Sequence, residues 1–189
     1  MKRILICALA LLLAALLPAC AASAAGSPLL AERDGALTEI AAVSPPAGYA
    51  EAPELAAPGD TPEYYFIPTE KSPVRFLYYT TGSGDPAALA AAALESYAAF
   101  YEEFRPAAVR EDRLAGRDCL RFDYTCAYPD AGGKALVREQ TAVAYVPLEG
   151  DAFIACIASL AFDEPDGFLT DDALTALLET ALGAIELRS

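Results

Sequence analysis

The sequence predicts an α+β domain, an antiparallel β-sheet with helices packed on it, and three observations carry that expectation. From Cys119 to Cys126 the hydropathy alternates with period two. Leu120, Phe122, Tyr124 and Cys126 fall on one face and Arg121, Asp123 and Thr125 on the other, as in a half-buried antiparallel strand. Two other stretches, after Asp85 and after Thr170, repeat apolar residues at spacings of three and four, the period of a helix with one buried stripe. Clusters of Gly, Pro and Asp cut the chain between them into short elements.

In chain order, Leu37 to Val43 reads as a first strand, and Ser44-Pro45-Pro46-Ala47-Gly48-Tyr49 is a turn cluster that no helix crosses. Pro53, Pro58, Gly59 and Pro62 continue the irregular run. Glu63 to Ile67, with Tyr64, Tyr65 and Phe66, and Val74 to Tyr79, with Phe76, Leu77 and Tyr78, have the aromatic and β-branched density of strands. The Pro68 to Pro73 turn between them makes a hairpin. Asp85 and Pro86 then open a helix running to about Phe104, with Leu89, Ala93, Tyr97, Phe100 and Phe104 as its buried stripe. After the alternating strand, Asp130-Ala131-Gly132-Gly133-Lys134 turns the chain into a second strand, Val137 to Val146. Glu149-Gly150-Asp151 turns it again into Phe153 to Phe162, apolar enough for a central strand buried on both faces. Thr170 caps a last helix, with Asp171 and Asp172 at its positive end and Leu174, Leu177, Leu178, Ala181 and Ile185 as its stripe.

The first residues carry an address. Lys2 and Arg3 precede an apolar run from Ile4 to Leu17, too short for a bilayer span of roughly 20 residues and right for a secretory signal. The run ends at Leu17-Pro18-Ala19-Cys20, which resembles the bacterial lipobox, although Pro18 stands where a small residue is usual. Residues 1–19 are therefore expected to be a lipoprotein signal peptide, Cys20 the lipidated residue, and 20–36 an Ala/Ser/Gly-rich tether. The domain is expected over residues 37–189. Two acyl chains on Cys20, at about 0.8 kcal/mol per buried methylene, give stable anchoring to the outer face of the cytoplasmic membrane. Cleavage after Ala22-Ser23-Ala24 is the alternative, and it yields a freely secreted protein.

Loss of the signal leaves 11 basic residues, 13 less Lys2 and Arg3, against 27 acidic ones, a net charge of −16. Such a surface repels nucleic acid and anionic headgroups and keeps an exported domain soluble. Of the five cysteines, Cys119, Cys126 and Cys156 remain in the domain. Cys119 and Cys126 lie seven apart, on opposite faces of one strand, and in a meander Cys126 and Cys156 are roughly 9.5 Å apart, so all three are expected as small buried hydrophobes.

Three further segments resemble the PsbP-like family: Pro46-Ala47-Gly48-Tyr49 its Pro-x-Gly-aromatic entry, Leu114-Ala115-Gly116-Arg117 its hairpin, and Phe168-Leu169-Thr170 to Ile185 its closing helix. That family is an α/β/α sandwich that includes the extrinsic PsbP subunit of photosystem II, a Ran-binding import factor and exported bacterial lipoproteins without assigned activity. The resemblance covers most of residues 38 to 187 and implies a binding or scaffolding module, with no lumenal or Ran-binding residues to carry over.

The chain contains no histidine, which removes Ser-His-Asp and Cys-His catalysis and His-based zinc sites. Gly82-Ser83-Gly84 lacks the Lys-Ser/Thr of a P-loop. In the acidic loop Asp163-Glu164-Pro165-Asp166-Gly167 an EF-hand alignment puts Ala173 where the twelfth-position carboxylate must stand, which excludes that motif. No cofactor or metal is expected, and an enzyme is not. A histidine-free envelope hydrolase would need converging carboxylates such as Asp123 and Glu139. Ten tyrosines without a tryptophan suit strands that bury their rings and keep their hydroxyls wet, and tyrosine clusters also favour binding surfaces. Tyr64, Tyr65, Tyr78 and Tyr79 on the first hairpin and Tyr97 and Tyr101 on the first helix mark a candidate ligand groove between the two. The expected function is a membrane-anchored module that binds an envelope protein or a small ligand.

Overall fold

The computed structural model describes residues 26–33, 36–59, 61–130, 136–162 and 167–188. They form a mostly antiparallel α+β fold. Eight strands make one large sheet: β3 (Tyr49–Glu51), β4 (Tyr64–Pro68), β5 (Val74–Ser83), β10 (Ala152–Phe162), β9 (Leu136–Pro147), β8 (Arg117–Pro129) and β6 (Glu102–Pro106) in that order, with β7 (Arg110–Leu114) pairing on β8 beside β6. A smaller sheet joins β1 (Ser27–Arg33), β2 (Ala36–Val43) and β11 (Ile185–Leu187). Helix α1 is Pro86–Phe100 and helix α2 is Asp171–Gly183. The β8–β9–β10 meander and the β4–β5 hairpin form as the alternation predicts, and β10 is central and almost wholly buried. The turn at 131–135 lies outside the described residues.

Alternation along the central strands divides the core in two. Ala142, Ala144, Ile154, Cys156, Ala158 and Leu160 pack with Leu174, Leu178, Ala181 and Leu182 of α2 and with Leu29, Ile40 and Val43 of the small sheet. Residues of the other parity, Phe122, Tyr124, Cys126 and Val143, pack with Ala90, Leu94 and Tyr97 of α1. Each helix thus covers a different face of the large sheet, and the small sheet shares the layer of α2.

Five expectations are corrected. The tether read over residues 20–36 contains a strand, because Ser27 to Arg33 pair in register with Val43 to Ala36. Helix α1 stops at Phe100, and Phe104 belongs to β6. Its buried stripe is also rotated: Ala90 faces the sheet while Leu89 is 39% and Phe100 81% exposed. Eight of the 15 residues of α1 are alanine, so its sequence holds little contrast from which to choose a face. In α2 the stripe includes Leu182, and Ile185 is the first residue of β11, buried against β2. Strand β8 is buried on both faces, not one: Arg121 is 0% and Asp123 7% exposed.

The second face of β8 is buried because α2 is fastened to it. Arg121 Nε and Nη2 grip the two oxygens of Asp123 at 3.1 and 3.0 Å, its Nη1 donates to Thr175 Oγ1 at 2.6 Å, and its Nη2 also donates to Asp171 Oδ1 at 2.8 Å. A planar fork with five donors suits this shared grip, and lysine could not reproduce it. Arg110 adds a contact to Asp171 at 2.6 Å. That hydrogen bond is the main cause holding the Asp171 carboxyl below its ordinary value. Its stabilisation is therefore present above the unfolded carboxylate pKa of about 4 and lost as pH falls through the lower folded value. Gln140 holds both the N–H and the C=O of Leu169, just before the helix. Thr170 Oγ1 accepts from Ala173 N–H as the cap. At the other end Tyr79 donates to the carbonyl of Ala181 and Arg117 to that of Leu182, acceptors in the last turn of the helix, and Arg117 donates also to the carbonyl of Ile185 at the start of β11.

The small sheet is fastened the same way. Along the edge of β1, the Pro28 carbonyl accepts from Tyr64 Oη at 2.8 Å and the Leu30 carbonyl from Thr81 Oγ1. Side chains of the large sheet thus occupy acceptors on an edge that would otherwise template another strand.

Replacing Arg121 with Met leaves buried Asp123 with only Arg110, 3.7 Å away, in place of its two-pronged partner and is expected to cost about 3–5 kcal/mol in urea unfolding. The double variant R121M/D123L recovers most of that loss if the damage is the orphaned carboxylate. At the β7–β8 turn, Ala115 (φ 49°) and Gly116 (φ 75°) both occupy the left-handed region. Ala115→Asn suits that conformation better and is expected to raise stability by about 0.5–1 kcal/mol, read from the urea midpoint.

Candidate functional site

Adjacent residues on a strand point to opposite faces, so the hairpin tyrosines separate. Tyr79 is fully buried on the α2 face and Tyr64, its register partner, reaches β1 there. Tyr65 and Tyr78 pair on the α1 face, their ring centroids 4.6 Å apart, and Tyr65 meets Phe76 edge-on at 5.4 Å. The candidate groove thus keeps Tyr65 and Tyr78 from the hairpin, Tyr97 from α1 and Tyr101, which is the extended residue capping the end of α1 and not part of the helix as expected, and loses Tyr64 and Tyr79. The strand period alone held the signal for that division.

On this face the two aromatic groups flank a strip of β10 and β9. Tyr78 stands opposite Ile157, which stands opposite Val143, which stands opposite Phe122. At the usual strand spacing the walls rise about 14 Å apart. The far wall is α1, whose Tyr97 packs on Tyr124 at 5.1 Å and whose Tyr101 packs on Tyr128 at 5.9 Å. Glu139 is the polar hub of the strip. Its carboxylate accepts from Arg75 Nη1 at 3.0 Å, Tyr128 Oη at 2.9 Å and Thr141 Oγ1 at 2.9 Å. Arg75, whose side chain is 45% exposed, also donates to Tyr128 Oη at 2.7 Å and lies 5.9 Å from the Phe76 ring centroid. Tyr78 donates to Glu63 at 2.8 Å. Burial raises the pKa of Tyr65, Tyr101 and Tyr145, with the negative charges of Glu63 beside Tyr65 and Glu139 beside Tyr101 adding to it. These phenols stay protonated and able to donate at neutral pH. Sequence reading missed Phe76, Arg75, Glu139 and Tyr128 as members of one surface, because only the strand register brings them together.

A separate open cleft of about 780 Å³ lies between the start of α1 and the β7–β8 hairpin, lined by Asp85, Glu111, Asp112, Arg113, Asp118 and Leu120 among others. Most of its carboxylates have work elsewhere. Asp85 caps α1 through Ala87 N–H, Asp112 faces Arg121 at 3.6 Å, and Asp118 faces Arg113 at 3.6 Å.

Asp123 and Glu139 do not converge. Asp123 lies on the α2 face with Arg121, while Glu139 lies on the α1 face with Tyr128 and Thr141. Cys20 and the loop Asp163 to Asp166 lie outside the described residues. Among the described residues no group of three or more His, Cys, Asp or Glu side chains could hold a metal ion, and no helix is long and apolar enough to cross a membrane.

No family model and no curated protein matches this chain. Among solved structures it is similar to a protein from Bacteroides thetaiotaomicron, with TM-score 0.46, 12% identity and coverage of 79% of this chain and 45% of the other. The chain thus spans about half the length of that protein. It is also similar to LpqN, involved in cell envelope biogenesis of Mycobacterium tuberculosis, with TM-score 0.42, 16% identity and coverage of 79% and 83%. A third is PA94, a protein of unknown function from Pseudomonas aeruginosa, with TM-score 0.38, 14% identity and coverage of 82% and 96%. At such similarities no activity passes from these proteins to this chain.

Cys119, Cys126 and Cys156 are free and buried. Burial pushes their thiols up to about 11, 12 and 12, so the reactive thiolate is scarce below that range. Iodoacetamide at pH 8 is expected to alkylate each at least about tenfold more slowly in the native protein than in guanidinium, as read by site-resolved peptide mass mapping.

Proposed function

We propose that this chain is an exported lipoprotein, held to the outer face of the bacterial cytoplasmic membrane through lipid on Cys20, and that its domain is a binding module of the PsbP-like α/β/α type. The observation that carries the address is Cys20 itself, standing directly after the apolar run with Leu17 three residues before it and Ala19 just before it. Strand β1 begins at Ser27, seven residues later, a span of at most about 25 Å. The domain would therefore sit close over the membrane.

The fold reading is supported by the Pro46–Tyr49 turn, closed by a bond from Tyr49 N–H to the Pro46 carbonyl, by the tight hairpin at Ala115-Gly116, and by helices on both faces of the large sheet. Binding is supported over a reaction by the absence of histidine from the sequence and by the separation of Asp123 from Glu139. The tyrosine-walled strip supplies aromatic area and spare hydroxyls on one surface, the usual equipment of a recognition site.

Intact mass and detergent partitioning of wild type and Cys20→Ser, expressed in a bacterial host, test the anchor. Wild type is expected to carry a lipid-sized added mass and to enter the detergent phase, and the variant to lose both. A soluble, unmodified wild type beginning after Ala24 would make the protein a freely secreted binder.

A further inference from the structure

From the α1 face we infer that the strip between Tyr65, Phe76 and Tyr78 on one side and Tyr97 and Tyr101 on the other binds a saccharide, specifically an uncharged β-linked chain of flat pyranose rings. The inference rests on the binding-module reading and names its ligand class.

Ring chemistry comes first. Tyr65, Phe76 and Tyr78 form a contiguous aromatic platform that is neither buried nor fully exposed, since α1 covers the β8 side of this face and leaves the β4–β5 side open. A pyranose with equatorial hydroxyls presents a flat array of C–H bonds, and the negative face of an aromatic ring receives those polarised hydrogens. Hydrogen-bonding capacity comes second. Among the described residues, the hydroxyls of Tyr65, Tyr97, Tyr101 and Tyr145 make no hydrogen bond within the protein, although every one carries a ring packed on this face. Beneath them Ser159 is 1% exposed, stands between Phe76 and Thr141 in register, and its Oγ has no partner. A buried hydroxyl left unmatched costs about 1–3 kcal/mol, and a polyol supplies both donors and acceptors to such groups.

Charge selects among saccharides. Arg75 is matched by Glu139, and Tyr78 by Glu63, so the strip offers no free cation to an acidic sugar. The surrounding domain, at net charge −16 once residues 1–19 are removed (11 basic, 27 acidic), repels anionic polymers. A neutral glycan meets neither obstacle.

The test uses the processed full-length wild type in detergent, with cellotetraose and chitotetraose as probes. Ten tyrosines and no tryptophan make tyrosine fluorescence a direct reporter. Saturable quenching by at least one probe is expected, weakened about tenfold by Tyr65→Ala and by Phe76→Ala, each of which removes one stacking ring. Tyr65→Phe keeps the ring and is expected to retain most of the affinity. Tyr64→Phe, on the opposite face, is expected to bind as wild type does. Absence of saturation by both probes up to about 10 mM overturns the inference, as does equal weakening by Tyr64→Phe and Tyr65→Ala. Circular dichroism of each variant separates lost binding from lost folding. Detergent partitioning of the same wild-type sample reports on the anchor independently, so failure of saccharide binding is distinguishable from failure of the lipoprotein reading.

Discussion

A single buried guanidinium decides where the second helix lies. Arg121 points into the layer between β8 and α2 and is fully covered there, a placement that would be prohibitive for an unpaired cation. Asp123, Asp171 and Thr175 share it, so one charge from β8, beside the edge of the sheet, ties together a strand neighbour and the first turn of a helix 50 residues further on. Buried ion pairs often add little net stability over apolar packing of the same shape. Their directionality is the greater effect here, because apolar contacts would tolerate α2 at several rotations. The fork of Arg121 and the paired amide bonds of Gln140 to Leu169 accept one.

Because α2 and the small sheet fill one side, the opposite side of the large sheet carries, among the described residues, helix α1 alone. Part of that side stays open, and there the strand register gathers tyrosines, Phe76 and the Arg75–Glu139 pair. The cover on one face and the open surface on the other are thus consequences of the same asymmetry. A strand such as β5 contributes to both at once: Tyr79 donates to the α2 carbonyl of Ala181, while its neighbour Tyr78 faces the open strip.

Much of the sheet was legible in the sequence because period two is a strong signal where one residue type alternates with another. The β8 to β10 meander and the β4–β5 hairpin could be read from it directly. Three things could not. The alanine background of α1 hid which side was buried and where it ended. The N-terminal strand β1, Ser27–Arg33, has a composition close to that of a linker, and its existence depends on pairing with β2 and on the hydroxyls of Tyr64 and Thr81. The burial of Arg121 and Asp123 was unreadable for the opposite reason, since charged residues alternating with apolar ones are the ordinary mark of a solvent face, and only a helix distant in sequence overrides it. For the candidate surface, residue types could be chosen from sequence, but the division of adjacent tyrosines between two faces needed the strand period to be applied to them as well.

Strand β2 lies between β1, just before it, and β11, at residues 185–187, and Arg188 N–H bonds back to Ile40. β1 and β2 pair with each other directly, but β2 gains its second neighbour only once Ile185–Leu187 are in place. A chain that emerges amino end first, from a ribosome or through a membrane channel, cannot complete its small sheet while its carboxyl end is still held. Loop closure over so long a separation is slow, so the third strand of the small sheet is expected to join it late in folding.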